Sequence, residues 1–419
     1  MSLQHQRNRS PLVFASLTLT AGLLGASLPA QAVDWGGYFR AGPGATKKGS
    51  ARACYGLSGV PDGLKFRLGN ECDFYGEFAL SQDIKKDGVE VKATLMTGLY
   101  NGATDEGSGK VDVIQMYAEG KGFDVSPDTT FWAGKRYHGR SDVHIVDTHF
   151  INLSGVGAGA EGIRVGSGKL AVSYFRTDDT VGDVGAVVST VGNQPANRFN
   201  VDLYDFQVNP GGKLRGVATF TQGTFTGGKT GMGLSLQHKQ SVGLLGPTGA
   251  ATTWLQYAQG SAALDGRTAD GRSGTDTKRV RFIESADWQV GRFGGQALVL
   301  WMNEKVVDPV TLIKTDTDSA TIGGRGSYAF TQNFKMVAET GYSQSKPKNG
   351  ATQKLAKFTL APTLSTGPGF WNRPEFRLYV TTAKWNNAAN VAAGPNGLTG
   401  RGDGKTTGTS YGAQVEMWF

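Results

Sequence analysis

The 419-residue sequence has only two cysteines and five histidines. Cys54 and Cys72 are not spaced as CxxC and have no third ligand beside them, which argues against a zinc ribbon or a redox dithiol. His138, His144 and His149 lack the H-E-x-x-H spacing of a metalloprotease, so neither a metal nor a cofactor is expected. Beyond residue 33 no uncharged apolar run is long enough to cross a membrane as a helix. Basic stretches interleaved with aromatics are missing too, which argues against a nucleic-acid partner. The net charge of +8 is spread along the chain, and a mild preference for anions stays open. No linker or fixed-period repeat divides residues 33–419.

The first 32 residues read as an export signal. Arg7 and Arg9 precede an uncharged run over 11–29, and Ala30-Gln31-Ala32 fits an A-x-A cleavage site. Removal after Ala32 would leave one domain, 33–419. Export to an oxidising compartment makes a Cys54–Cys72 disulfide the expected state. Closing a loop of that length stabilises by about 3 kcal/mol in the chain-entropy description.

Past the signal the dominant pattern has period two. Trp35 and Phe39 share one face of a segment whose other face carries Tyr38 and Arg40. Phe74, Phe78 and Leu80 oppose Asp73, Tyr75 and Glu77. Near the end, Pro374, Phe376, Leu378 and Val380 oppose Trp371, Arg373, Glu375, Arg377 and Tyr379. The last residues put Tyr411, Ala413, Val415, Met417 and Phe419 opposite Gln414, Glu416 and Trp418. Charges mixed with Trp and Tyr suit a wet channel wall better than a soluble core. The expected fold is therefore all-β: a transmembrane antiparallel barrel with strands of about ten residues. Turn-rich segments at 102–109, 209–212, 266–274 and 386–404 read as its turns and loops.

One stretch concentrates chemistry. Residues 139–152 hold Arg140, Asp142, His144, Asp147 and His149 and are followed by a glycine-rich tail at 155–159, read as flexible. Gly157 to Gly162 match G-x-G-x-x-G, but residues 163–168 cannot start a helix, as a dinucleotide site requires. Ser141 lies near histidines without an oriented triad or oxyanion donors, so no enzyme is expected.

Many ordered blocks resemble the maltoporins, sugar-selective trimeric porins of the Gram-negative outer membrane. They include Arg67-Leu68-Gly69-Asn70-Glu71-Cys72, Trp132-Ala133-Gly134-Lys135-Arg136, Asp142-Val143-His144, Arg373-Pro374, Ala383-Lys384-Trp385, Arg401-Gly402-Asp403 and Gly412-Ala413-Gln414. The resemblance implies about 18 strands, a constriction loop folded inward at 140–152, a homotrimer in outer-membrane lipid and an oligosaccharide substrate. It also implies an aromatic slide at Tyr38, Tyr75, Trp371 and Trp418, flanked by a polar track of Arg40, Arg67, Glu77, Arg140, Asp142 and Asp147. Flat rings stack on the apolar faces of sugar rings, and charged groups replace the hydroxyls' lost water.

The sequence departs from that pattern at several points. Ile114 stands for a track arginine and Leu234 for a slide phenylalanine. No tryptophan lies between Leu99 and Val111, where a neighbouring subunit's contribution is expected. His149 replaces a tyrosine at the narrowest point, and Asn152 an acid beside it. These changes suit a wider filter, as in the related sucrose porins, or a general-diffusion porin on the same fold.

Overall fold

The computed structural model describes residues 33–47, 52–58, 60, 64–102, 109–178 and 194–419. The expected leader, 1–32, lies outside them. Eighteen antiparallel strands form one closed barrel. Closure is made by the first strand, Asp34–Ala41, which pairs with the second, Phe74–Lys86, and with the last, Thr407–Trp418. Pro43 interrupts the first strand because it has no N–H to give the ladder. Its carbonyl still accepts from Ala413 N at 3.0 Å, and Gly44–Thr46 resumes the pairing.

Alternation is inverted relative to a soluble protein. In the strand Glu375–Trp385, Glu375, Arg377, Tyr379 and Thr381 are buried, while Phe376, Leu378 and Val380 are exposed. Polar groups face the lumen and apolar ones face lipid, as a membrane barrel requires. Outside, Trp35 stacks on Phe78 at 5.8 Å and meets the C-terminal Phe419 at 5.6 Å, so rings seal the seam. One barrel end carries short turns, such as Asp87 and Gly88 with φ of 52° and 83°. The other carries the long links 137–154, 261–277 and 386–406. Short turns mark the periplasmic end and long loops the extracellular one.

Three segments fold into the lumen where one was expected. Segment 137–154 forms a small hairpin, Ser141–Val143 with Thr148–Ile151, around the 3-10 turn His144–Val146. Val143, Ile145, Phe150, Ile151 and Leu153 are fully buried. They pack on Trp254, Ile283, Leu298, Leu300 and Met302, which face inward from three strands, Ala250–Gly260, Lys278–Val290 and Phe293–Val307. The lumen wall is thus apolar where the loop seats, and again at Leu355 and Trp385 under Tyr55 and Leu57 and at Val337 and Ala361 under Leu68. Gln296 Oε1 accepts from Ile145 N at 3.0 Å, and Gln256 Nε2 donates to Phe150 O at 2.6 Å. Residues 52–58 and 64–73 carry the Cys54–Cys72 disulfide and bury Tyr55, Leu57, Phe66 and Leu68. Segment 261–277 closes over the hairpin, with Asp265 O accepting from Asn152 N at 2.8 Å.

Two expectations need correction. Residues 155–159 are not a flexible tail but the start of the strand Gly155–Val165. Glycine is needed there because a Cβ on Gly159 would lie 2.6 Å from Val172 O and 2.9 Å from the Trp132 ring. Within 386–404, read as loop, lies a short helix, Asn387–Ala392, capped by the Asn386 side chain accepting from Ala389 N at 3.1 Å.

Phe150→Ala should release the hairpin. Loss of a fully buried phenylalanine costs about 3–5 kcal/mol, and the loop should sample the open lumen. Single-channel recordings should then show larger, noisier conductance. Unchanged, quiet conductance would mean that this core does not hold the loop.

Candidate functional site

Cross-strand register builds the site. Tyr38 is directly opposite Trp418 on one side and Glu77 on the other. In the next inward row Arg40 is opposite Glu416 and Tyr75. Directly opposite residues share a face, so Tyr38, Tyr75 and Trp418 stand on one lumen wall. Trp371 joins them from the turn preceding Glu375–Trp385. The ring centroids are 6.1 Å apart for Tyr38 and Tyr75 and 6.4 Å for Trp371 and Trp418.

His144 closes the gap from the constriction hairpin. Its ring stands edge-on to Trp371 at 5.4 Å and to Trp418 at 5.9 Å. Arg67 Nη1 donates to His144 Nδ1 at 3.2 Å, which fits a neutral imidazole. Arg373 covers the Trp418 ring at 4.3 Å.

Beneath the rings runs a continuous ion-pair network. Arg40 pairs with Asp73 at 2.7 Å, Glu71 at 3.2 Å and Asp147 at 3.3 Å. Arg67 pairs with Glu71 at 2.6 Å, Glu416 at 3.3 Å and Asp147 at 3.4 Å. Glu416 also takes Arg373 at 3.0 Å and binds Arg377, and it accepts from Tyr38 Oη at 3.1 Å. Arg40 and Arg67 are 8% and 3% exposed, so their charge is already met by carboxylates. They hold the wall more than they face the lumen.

The open end of the hairpin, away from its 3-10 turn, differs. Arg140 and Asp142 are exposed and form no ion pair among the described residues. Arg140 lies 3.9 Å over the Tyr137 ring and reaches His149 Nδ1 at 3.5 Å. Tyr137 Oη donates to Glu77 Oε1 at 2.8 Å, and Tyr75 Oη donates to the same oxygen. Glu77 therefore ties the open end of the hairpin to the aromatic wall.

Asn152 does not point to a filter role; its Oδ1 accepts from Ser154 N at 3.3 Å and shapes the turn. Ile114 occupies a β-bulge and covers Gly98, while Gln115 beside it accepts from Tyr137 N at 2.7 Å. Leu234 is a correction. It is 48% exposed on the outer face, with Ser235 inward, so it is not the place of a missing slide ring. Residues 103–108, within the segment lacking a tryptophan, lie outside the described residues. Sequence reasoning left out His144, Tyr137, Glu416 and Arg373 as site residues. Alternation had already put Glu416 and Arg373 on the lumen side, and that signal was enough to include them.

Buried loop groups titrate away from neutrality. Burial and then Arg67 push His144 below the ordinary imidazole range, and burial and then Arg140 do the same to His149. Burial and then Arg136 take His138 down to about 3. Burial would raise Asp147, but Arg67 and Arg40 hold it at about 2. Groups with depressed folded values contribute stability that is present above their unfolded values and lost as pH falls through the folded ones. Conductance should therefore stay flat through about pH 6.5, the ordinary histidine value, whereas stability, flat above that value, should fall progressively below it as the unfolded chain takes up protons that the folded one refuses. A conductance step centred near that value would contradict the neutral imidazoles.

Residues 33–419 match the LamB porin family across the whole barrel. The chain belongs to the LamB porin family. It is an outer-membrane porin of the Gram-negative type. Among solved structures, OccAB1 of Acinetobacter baumannii is 9% identical with a TM-score of 0.51, covering 92% of this chain and 96% of that one. OccK1 (OpdK) of Pseudomonas aeruginosa is 11% identical with a TM-score of 0.49, covering 92% and 98%. The anion-selective porin of Comamonas acidovorans is 12% identical with a TM-score of 0.47, covering 93% and 100%. At such identities the likeness concerns the barrel fold alone. In this LamB porin the aromatic wall and the open end of the hairpin, joined through Glu77, form one continuous cluster.

Proposed function

We propose that this LamB porin carries oligosaccharides by facilitated diffusion along Tyr38, Tyr75, Trp371 and Trp418. Maltose, maltodextrins or a related sugar such as sucrose are the substrate class. The observation that supports the reading is the continuity of those rings on one wall, with Tyr38 directly opposite Trp418, linked through Glu77 and Tyr137 to Arg140, which has no ion pair among the described residues. A pyranose offers an apolar face to stack and a rim of hydroxyls to bond. Glu77, Arg140, Asp142 and Asp147 are the hydroxyl partners in this account. Arg40 and Arg67 act by holding Asp147 and Tyr38. Each contact is weak and repeated, so the sugar moves from step to step.

The working form is a passive channel without a catalytic step. Signal removal after Ala32 and assembly as a homotrimer belong to the same proposal. They would be checked by N-terminal sequencing and by a heat-sensitive trimer band. Liposome swelling tests the transport claim. Oligosaccharides should enter faster than uncharged polyols of equal size. Entry that depends on size alone would leave a general-diffusion or mildly anion-preferring porin, a reading that the unpaired cation of Arg140 also fits.

A further inference from the structure

Lys335 and Lys357 face inward and are neutralised, by Glu375 at 2.7 Å and Glu339 at 2.9 Å. On the outer face of the same wall, Lys346, Lys354 and Lys384 are exposed and have no ion pair among the described residues. They stand on three adjacent strands, Phe334–Pro347, Gln353–Ser365 and Glu375–Trp385. Gln344 is opposite Lys354, and Ala356 is opposite Lys384. Lys354 is therefore the diagonal neighbour of both other lysines, with roughly 7–8 Å between such positions.

Their height matters as much as their spacing. All three lie at the long-loop, extracellular end. The periplasmic ends of the same outer faces carry Phe334, Leu364 and Phe376 instead. Between lie Tyr342, Phe358, Leu360, Leu378 and Val380, all exposed to lipid. From Leu364 to Lys354 is about 33 Å along a strand, or roughly 25 Å of height at the usual tilt, the depth of the apolar band. The lysines thus sit where hydrocarbon ends and outer-leaflet head groups begin. The strand ends are pinned there. Asn386 N donates to Lys354 O at 3.2 Å, and Lys354 N donates to Asn386 Oδ1 at 3.0 Å. Two carboxylates of the neighbouring strand stand beside the group, Asp318 across from Lys346 and Asp316 on its diagonal, and both accept from Asn303 Nδ2, at 3.1 Å and 3.0 Å.

We propose that Lys346, Lys354 and Lys384 form a docking site for the phosphate groups of an anionic glycolipid in the outer leaflet. Three unpaired ammonium groups at fixed spacing on the lipid-facing wall match a head group with more than one phosphate. Such a lipid supplies the counter-charge that the strands opposite Lys354 and Lys384, with Gln344, Ala356 and Thr407, do not. The contact would order annular lipid against this side of the barrel.

The test uses the full-length purified porin and detergent-dispersed lipid A, with its dephosphorylated form as control. Binding is read by native mass spectrometry. Each lysine near an anionic head group contributes a factor of about five, so K346Q/K354Q/K384Q should bind the phosphorylated lipid roughly a hundredfold more weakly. Each single variant should lose about fivefold, which keeps the claim testable if the triple variant assembles poorly. Unchanged conductance reports an intact channel. The proposal is overturned if the variants bind like the parent, if the dephosphorylated lipid binds equally well, or if inorganic phosphate alone occupies the site with the same affinity as the lipid.

Discussion

Trp418→Ala is expected to weaken saccharide block of the channel by roughly thirtyfold, equivalent to about 2 kcal/mol. The indole lies beside Trp371, His144 and Arg373, so its removal interrupts the aromatic wall at its centre. A stacking platform contributes through buried area and ring geometry together, and an interruption cannot be bridged by the remaining rings. Trp418→Phe should keep most of the block, because a flat apolar face remains. The barrel should be unaffected, since the outer seam uses Phe419 and Trp35. Current-noise titration with maltotriose and with sucrose measures the change. Equal block by the parent and the alanine variant would remove Trp418 from the path.

Glu416→Gln should have the largest effect on stability and ion preference. That carboxylate is 1% exposed and is shared by Arg67, Arg373 and Arg377. Removing one partner from a buried network leaves the others uncompensated, at a cost of about 3–5 kcal/mol. The uncovered cations also change the field in the lumen. The reversal potential across a salt gradient should move towards anions, and the shift should shrink at high salt as screening grows. Glu416→Asp retains the charge and should show much smaller changes in both readouts. A glutamine variant with parental melting and parental reversal potential would mean that the network is redundant.

Much of this could be read from the sequence because a barrel wall has a simple period. The faces assigned to Trp35, Phe39, Tyr38 and Arg40, and to Phe376, Leu378, Val380, Glu375 and Arg377, are those observed. The Cys54–Cys72 link is present as expected. What escaped is non-local. The sequence over 52–73 has no periodicity, and the inward position of residues 64–73 depends on partners such as Glu339, which accepts from Leu68 N at 2.8 Å, and Lys357, which donates to Leu68 O at 2.8 Å. The roles of Arg40 and Arg67 depend on which carboxylates meet them, and pairing of that kind has no local signature. Leu234 is the opposite case. Its own strand alternates plainly, with Leu234 and Leu236 exposed and Ser235 buried, and that pattern outweighs a family equivalence.

His149, paired in register with Asp142, and Arg140 over Tyr137 gather at the open end of the hairpin, where His149 departs from the family pattern. The central claim is that the aromatic wall binds sugar in transit. Single-channel recording of the parent protein, with malto-oligosaccharides of increasing length and with sucrose, tests it most directly. Saturable, concentration-dependent closures by at least one of these sugars, lost in Trp371→Ala/Trp418→Ala, are the predicted result. A current that no saccharide interrupts at any concentration would contradict it.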